Sequence, residues 1–412
     1  MKVGLIATSL TVPDAPFKSA EHLFKLSGGN TGNFAFVNAI YRHLAPNVEI
    51  FPWHIQPSVV KDRCDVVVIA CANQLGRHTD LGGIAKNLDA MDLPIVALGL
   101  GAQSADASRD VEISAGTRKW MDVIAAHAPT RNPNIGVRGT YSLEQLRKLG
   151  YADSGRIIGC PSNFTNPVPG LGAMIRKSFE SAAIERIAVP AGLHLWTNLQ
   201  KIEEQLADLV DAYNGTYVAQ SELDMLRLAR EEFSEISPDD LEKLNAYIRP
   251  HLTRREFTRW CRRHMAAYID APSWIAAMTK FDFVVGPRFH GVMMAIQAGV
   301  PGGVISHDSR TTEMCETTGS PFVDARSIGG PLRAEDLKTM FPFDGEAYDR
   351  RRCELAESYL TILNDASIGG SEELKALGST GFGQKSDGQS VAGSDISICP
   401  AIPTLSAVAS PN

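Results

Sequence analysis

Residues 281–310 read FDFVVGPRFHGVMMAIQAGVPGGVISHDSR. Phe281 to Val285 is a short run of β-branched and aromatic residues, suited to a buried strand. Gly286-Pro287 breaks it, and Arg288, Phe289 and His290 fall on the turn. Gly291 to Gln297 fits a helix of small and apolar residues, Gly299-Val300-Pro301 ends that helix, and Gly303 to Ser306 begins another strand. Arg288 and His290 are thus expected at the carboxyl end of a strand and the amino end of a helix. Ligands bind at that place in open α/β sheets, and the free N–H groups and positive dipole end of the helix favour an anion. An Arg-x-His on a turn is more often solvated surface. Here, however, a second polar group (His307, Asp308, Ser309, Arg310) follows the next strand at its own carboxyl end.

The rest of the chain repeats this alternation. Val3 to Thr8 reads as the first strand, and a loop Gly28-Gly29-Asn30-Thr31-Gly32-Asn33 precedes an amphipathic helix over Phe34 to Leu44. Such a loop can cradle phosphate on backbone N–H groups, or its glycines can simply serve a turn needing positive φ; no G-x-G-x-x-G is present. Asp65 to Cys71 and Pro94 to Leu98 are near-continuous apolar runs, as in parallel strands covered on both faces. The polar turns after them put Asn73 and Gln103 on one sheet edge, where they suit a sugar. Residues 134–150 read as a short strand ending at Arg138, a turn, and a helix opened by Ser142, with Gln145 three residues on completing a capping-box pattern. Arg156 to Cys160 reads as a further strand. A Pro/Gly-rich, then helical stretch over 165–184 suits a domain crossing, and a second α/β set begins at Ile187.

The expected fold is therefore α/β, with two Rossmann-like domains over 1–165 and 166–365 facing each other across a cleft. From 366 to 412 Ser, Gly, Ala and Pro dominate without periodicity, which predicts a disordered tail. With 412 residues, 44% hydrophobic and 21% charged, the chain can bury a sizeable core. A net charge of −7 argues against a nucleic-acid partner. The seven cysteines form no metal-like spacing, and several lie in apolar runs, which fits buried thiols in a reducing, cytoplasmic setting. No stretch predicts a transmembrane helix. Residues 249–268 place Arg255, Arg259, Arg262 and Arg263 on one helical face. A solvated basic face is the simpler reading; peripheral contact with an acidic membrane surface or a lipid-linked precursor is the sharper one.

The 281–310 stretch resembles the polysaccharide pyruvyl transferase family, whose pattern is Arg-x-His-Gly after an apolar strand, then a helix, Ala-x-Gly-x-Pro, a strand and an Asp. Those positions are Arg288, His290, Gly291, Ala298-Gly299, Pro301 and Asp308, with Ala298 directly before Gly299. Asn30 and Gly32 match the family's amino-terminal Asn-x-Gly-Asp, with Asn33 in place of the acid. Arg138 matches its Val-Arg-Asp/Glu-x-x-Ser segment, with Gly139 in place of the acid, and Pro161-Ser162-Asn163 stands where an Asp-Pro pair is usual. The resemblance implies two domains arranged as in GT-B glycosyltransferases. It also implies transfer of a pyruvyl group from phosphoenolpyruvate to two hydroxyls of a sugar, as a cyclic ketal, with release of phosphate.

The residue types suit that reaction. Arg288 and Arg138 can clamp a molecule carrying a carboxylate and a phosphate, and His290 is the candidate general acid/base or, as imidazolium, a phosphate ligand. Gly291 gives the anion its helix end, Asp308 and Arg310 serve the acceptor or orient His290, and Asn30 and Asn73 are candidate substrate contacts. No metal and no cofactor beyond phosphoenolpyruvate as co-substrate is expected. The alternatives are a GT-B glycosyltransferase using a nucleotide sugar, or a degenerate glycan-binding relative.

Overall fold

Twelve strands in the computed structural model form two six-stranded, wholly parallel sheets; residues 1–44, 46–104, 109–181 and 183–379 are described. The first sheet contains β1 (Val3–Ile6), β2 (Val48–Phe51), β3 (Val66–Ala70), β4 (Ile95–Leu100), β5 (Ile135–Val137) and β6 (Gly155–Ile157), in the order β2-β1-β3-β4-β5-β6. The second contains β7 (Ile187–Pro190), β8 (Thr216–Val218), β9 (Met265–Ala266), β10 (Phe283–Gly286), β11 (Gly302–Ser306) and β12 (Phe322–Asp324), in the order β12-β11-β10-β7-β8-β9. The expected α/β, GT-B-like class with two Rossmann-like sheets is what forms.

Strand alternation divides the core into layers. In β3, Val66, Val68 and Ala70 join a central cluster, while Val67 and Ile69 face an outer one. In β10, Val284 joins the same central cluster, and Phe283 and Val285 face the other outer layer. Both sheets therefore bury one face in a shared core, filled by helices Asn33–Leu44, Ala271–Met278, Phe289–Gln297 and Gly345–Asp365. This double coverage is why the strands read as unbroken apolar runs.

Each sheet reverses its order at one point, between β1 and β3 in the first and between β7 and β10 in the second. Neighbouring strands there send their connections to opposite faces, leaving a crevice at their carboxyl ends. Ala7-Thr8-Ser9 and Ala72-Asn73 leave the first pair of strands, and Ala191 and Arg288 leave the second.

Three expectations change. The helix after Arg138 spans Thr140–Lys148, and Ser142 forms no box with Gln145. Ser142 N–H and Oγ instead donate to Glu313, at 2.6 and 2.7 Å, and Gln145 accepts from the Val111 N–H at 2.9 Å. A carboxylate distant in sequence has taken the capping role. The basic stretch 249–268 is helical only over Arg254–His264. Phe257, Trp260, Cys261 and His264 are buried, the four arginines of the expected face are exposed, and Arg262 pairs with Glu231 at 3.2 Å.

The stretch expected to be a disordered tail from 366 is structured over its first part. Glu372–Ser379 is a helix whose Leu374 and Leu377 are buried in the central core, and the Ser371 N–H donates to the His43 carbonyl at 2.8 Å. Two leucines one turn apart were hidden by the surrounding Ser and Gly; residues 380–412 lie outside the described residues. The preceding helix Gly345–Asp365 returns to the first sheet, where Ser358 Oγ donates to the Ile157 carbonyl at 2.6 Å. Among the described residues no helix is long and apolar enough to cross a membrane, and Cys64, Cys71, Cys160, Cys261, Cys315 and Cys353 are all buried. Leu374→Ala and Leu377→Ala should each lower unfolding free energy by about 2–5 kcal/mol. Urea titration checks this, and a loss below ~0.5 kcal/mol would restore the disordered-tail reading.

Candidate active site

Arg288 caps helix Phe289–Gln297 from an extended conformation, so the backbone N–H groups of that helix's first turn open at the end of β10. Gly291 is required by close approach: a Cβ there would stand 2.3 Å from Pro190 Cβ and 2.9 Å from Gln220 Nε2. Only glycine lets the helix start so near the end of β7. The Arg288 side chain is 7% exposed. Its Nε donates to the Ala191 carbonyl at 3.2 Å, one Nη donates to Ser221 Oγ, and its guanidinium lies 4.3 Å from the centre of the Trp196 ring. Burial, then the neighbouring Arg310, lowers its pKa to about 10.

Arg138 approaches from the first sheet and is 1% exposed. Its Nε donates to the Gly99 carbonyl at 2.8 Å and one Nη to the Cys71 carbonyl at 3.5 Å, and its guanidinium stands 5.6 Å from the Phe36 ring. The Phe36 ring also lies 5.7 Å from His290, so one side chain touches both candidate residues. Asp308 caps helix Ser309–Thr318 through Thr311 and sits 3.6 Å from Arg310 Nε. Burial works to raise the Asp308 carboxyl, but Arg310, His307 and the bonds from Thr311 outweigh it and hold it below its ordinary value.

His290 therefore faces three guanidiniums. Burial first, then Arg138, Arg310 and Arg288, pushes its pKa well below the ordinary value and keeps the ring neutral. The imidazolium role expected as one alternative is disfavoured while no anion is present. His307, whose ring lies tilted against Trp196 with centres 4.1 Å apart, is lowered to about 4 by burial, with Asp308 opposing and Arg310 reinforcing. Neither of its ring nitrogens has a hydrogen-bond partner among the described residues.

The loop at 28–33 is not a phosphate cradle. The N–H groups of Gly28, Gly29, Thr31, Gly32 and Asn33 all have protein acceptors, and Gly28 and Gly29 take φ of +64° and +79°. Asn30 Oδ1 accepts from the Gly32 N–H at 2.8 Å, and Thr31 N–H donates to the Gln220 carbonyl at 2.8 Å, so the loop is a strap onto the second sheet. Asn30 and Asn73 both line a cleft of about 610 Å3 over the first sheet's reversal point, with Thr8, Asn33, Phe36, Trp53, His54, Gln74 and His78. Arg288 and His290 are not among its lining residues; Phe36 connects the two regions. Asn73 bonds to Gln103, whose Nε2 lies 3.5 Å from Asp308, a polar chain from cleft to cluster.

His290, Arg288, Arg138, Gly291, Asp308 and Arg310 thus converge where the two sheets meet, and Asn30 and Asn73 lie beside them. The sequence reading missed Trp196, Ser221 and Gln220. The latter two directly follow β8 and could have been found from its carboxyl end; Trp196, six residues past β7, left no local signal. It also missed how Gly139 is used: a Cβ there would come within 2.5 Å of Glu313 Cγ and 2.3 Å of Thr317 Oγ1. The Glu313 carboxyl, raised by burial, lies against Gly139 and bonds Ser142. Among the described residues no group of three His, Cys, Asp or Glu side chains could hold a metal ion. Gly139→Ala should cost about 1–3 kcal/mol by overpacking, read as a fall in thermal midpoint; an unchanged midpoint would mean that the two helices separate freely.

The family model described as polysaccharide pyruvyl transferase matches residues 30–309. No curated protein matches the chain in sequence. Among solved structures, S. aureus MnaA with UDP is similar at 11% identity and a TM-score of 0.42, covering 88% of this chain and 98% of that one. UDP-N-acetylglucosamine 2-epimerase from Rickettsia bellii is similar at 10% identity and a TM-score of 0.43, covering 88% and 96%. A UDP-N-acetylglucosamine 2-epimerase described for Listeria monocytogenes is similar at 12% and 0.41, covering 92% and 94%. These are distant likenesses.

Proposed function

Because the chain belongs to the polysaccharide pyruvyl transferase family, an enzyme family, we propose that it moves a pyruvyl group from phosphoenolpyruvate to two hydroxyls of one sugar in a glycan or its precursor. The observation that carries this reading is the convergence of Arg138, Arg288 and Arg310 on His290, with Asp308 paired to Arg310. Such an arrangement favours a small, multiply charged anion, and guanidiniums match both carboxylate and phosphate geometry. The adjoining cleft, with the Trp53 ring, His54 and the amides of Asn30, Asn73 and Gln74 along it, suits a sugar.

In this reading the arginines and the first-turn N–H groups of helix Phe289–Gln297 hold the donor. Protonation at C3 leaves an oxocarbenium-like centre at C2, and a sugar hydroxyl adds there with loss of its proton. Departure of phosphate regenerates that centre, and the second hydroxyl closes the ketal. His290 is the residue assigned to proton transfer. It is neutral in the empty site, but a bound anion offsets the three guanidiniums and raises its proton affinity. The donor thus arms its own acid, and the protonated ring balances the incoming charge.

Two results test this in calorimetry. Phosphoenolpyruvate should bind the wild type, and Arg310→Ala should weaken binding about ten- to hundredfold, as expected for ~1.5–3 kcal/mol from a charged contact. Titration in buffers of different ionisation enthalpy should show proton uptake on binding, larger as pH falls towards the raised His290 pKa, and reduced in His290→Gln. Binding of a nucleotide sugar with no response to phosphoenolpyruvate would overturn the donor assignment.

A further inference from the structure

The His290 ring is gripped on one nitrogen and open on the other. Its Nε2 lies 3.5 Å from Cys160 Sγ, and that sulfur lies 3.1 Å from Ser162 Oγ. Cys160 and Ser162 are both fully buried. They follow β6, where Gly159 turns the chain at φ +71° and delivers the thiol to the second sheet's histidine. The rings of Phe36 and Phe289 lie 5.7 and 5.6 Å from the imidazole. Nδ1 points the other way, towards the Asn30–Gly32 strap. A Cβ at Gly32 would stand 3.2 Å from Nδ1, so the missing side chain keeps that nitrogen clear.

A neutral imidazole carries one N–H and one acceptor nitrogen, and the partner of one nitrogen decides which is which. The charged and titratable groups facing this ring are Arg138, Arg288, Arg310 and Cys160, with Asp308 paired to Arg310. The arginines offer only donors. The thiol can supply a hydrogen to Nε2 and itself accept from the Ser162 hydroxyl.

We propose that Cys160 is a positioning residue, whose thiol donates to Nε2 of His290 and thereby fixes the tautomer that presents Nδ1–H to the substrate. Through this contact the first sheet sets the proton position on a residue of the second. The kinetic consequence rests on the pyruvyl-transfer reading above; the tautomer is a property of the chain alone.

The test is 15N NMR of the full chain carrying labelled histidine, with the His290 signals assigned through His290→Gln. The wild type should show Nδ1 protonated and Nε2 as the bare nitrogen. Cys160→Ser, whose hydroxyl can still donate, should keep that pattern. Cys160→Asp, whose carboxylate accepts, should move the proton to Nε2 and favour the charged ring. With phosphoenolpyruvate and an acceptor sugar, Cys160→Ala should lower kcat at least about tenfold, within the range for a proton-transfer group, with KM for phosphoenolpyruvate little changed. Cys160→Ser should recover most of the rate, and Cys160→Asp should shift the pH–rate profile upward. An Nε2-protonated wild type, or a Cys160→Ala enzyme with unaltered tautomer, kcat and pH profile, overturns the proposal. A wild type that never turns over phosphoenolpyruvate sinks the functional reading, and the NMR patterns of wild type, Cys160→Ser and Cys160→Asp then decide the role of Cys160. Thermal melts of the three variants separate a folding defect from either result.

Discussion

Keeping guanidinium groups out of water is the constraint around which this molecule is arranged. Removing a charge from water costs far more than any single hydrogen bond returns, so each arginine must be surrounded by acceptors. Arg138 is met by the carbonyls of Gly99 and Cys71, at the carboxyl ends of β4 and β3. Arg288 is met by the Ala191 carbonyl, the Ser221 hydroxyl and the face of Trp196. These partners are dipoles and a π-face, so the positive charge is tolerated without being cancelled. Asp308 balances Arg310, while Glu203 is bonded to Gly192 and Tyr217, and Glu313 to Ser142. An anion entering the cluster would complete the charge balance.

The sheets place that charge through their topology. Arg288 and Ala191 leave adjacent strands at the second sheet's reversal point, and the cleft over the first sheet lies at its own reversal point. The charged cluster and the cleft can then adjoin without either being cut into a helix or strand. Contacts between the sheets hold the two together: the Asn30–Gly32 strap on Gln220, Glu313 on the start of helix Thr140–Lys148, and Cys160 on His290. Each joins a segment of one sheet's half to the other's, so the charged cluster exists only when both sheets are in place.

Parts of this were legible in the chain because they depend on local periodicity. The strand–turn–helix at 281–297 could be read from β-branched residues, a Gly-Pro break and a helical run, and it placed Arg288 and His290 within a residue or two of where they stand. The β3 and β4 runs could be read because both faces of each strand are buried. The helix over Glu372–Ser379 could not, since two leucines in a Ser/Gly-rich stretch carry too little periodicity. The Ser142–Gln145 pattern misled because the capping carboxylate came from Glu313, 171 positions away in the chain.

The sequence by itself determined the fold class, the strand ends that carry Arg138, Arg288 and His290, and the kinship of the 281–310 stretch, since all three reside in short-range order. Tertiary structure alone decided how those residues are charged and which atoms they present. The approach of three guanidiniums to His290, the glycines at 32, 139 and 291 that permit close contact, and the thiol behind the imidazole all join residues remote in sequence. Burial and through-space charge set a proton's position, and neither has a period that can be read along a chain.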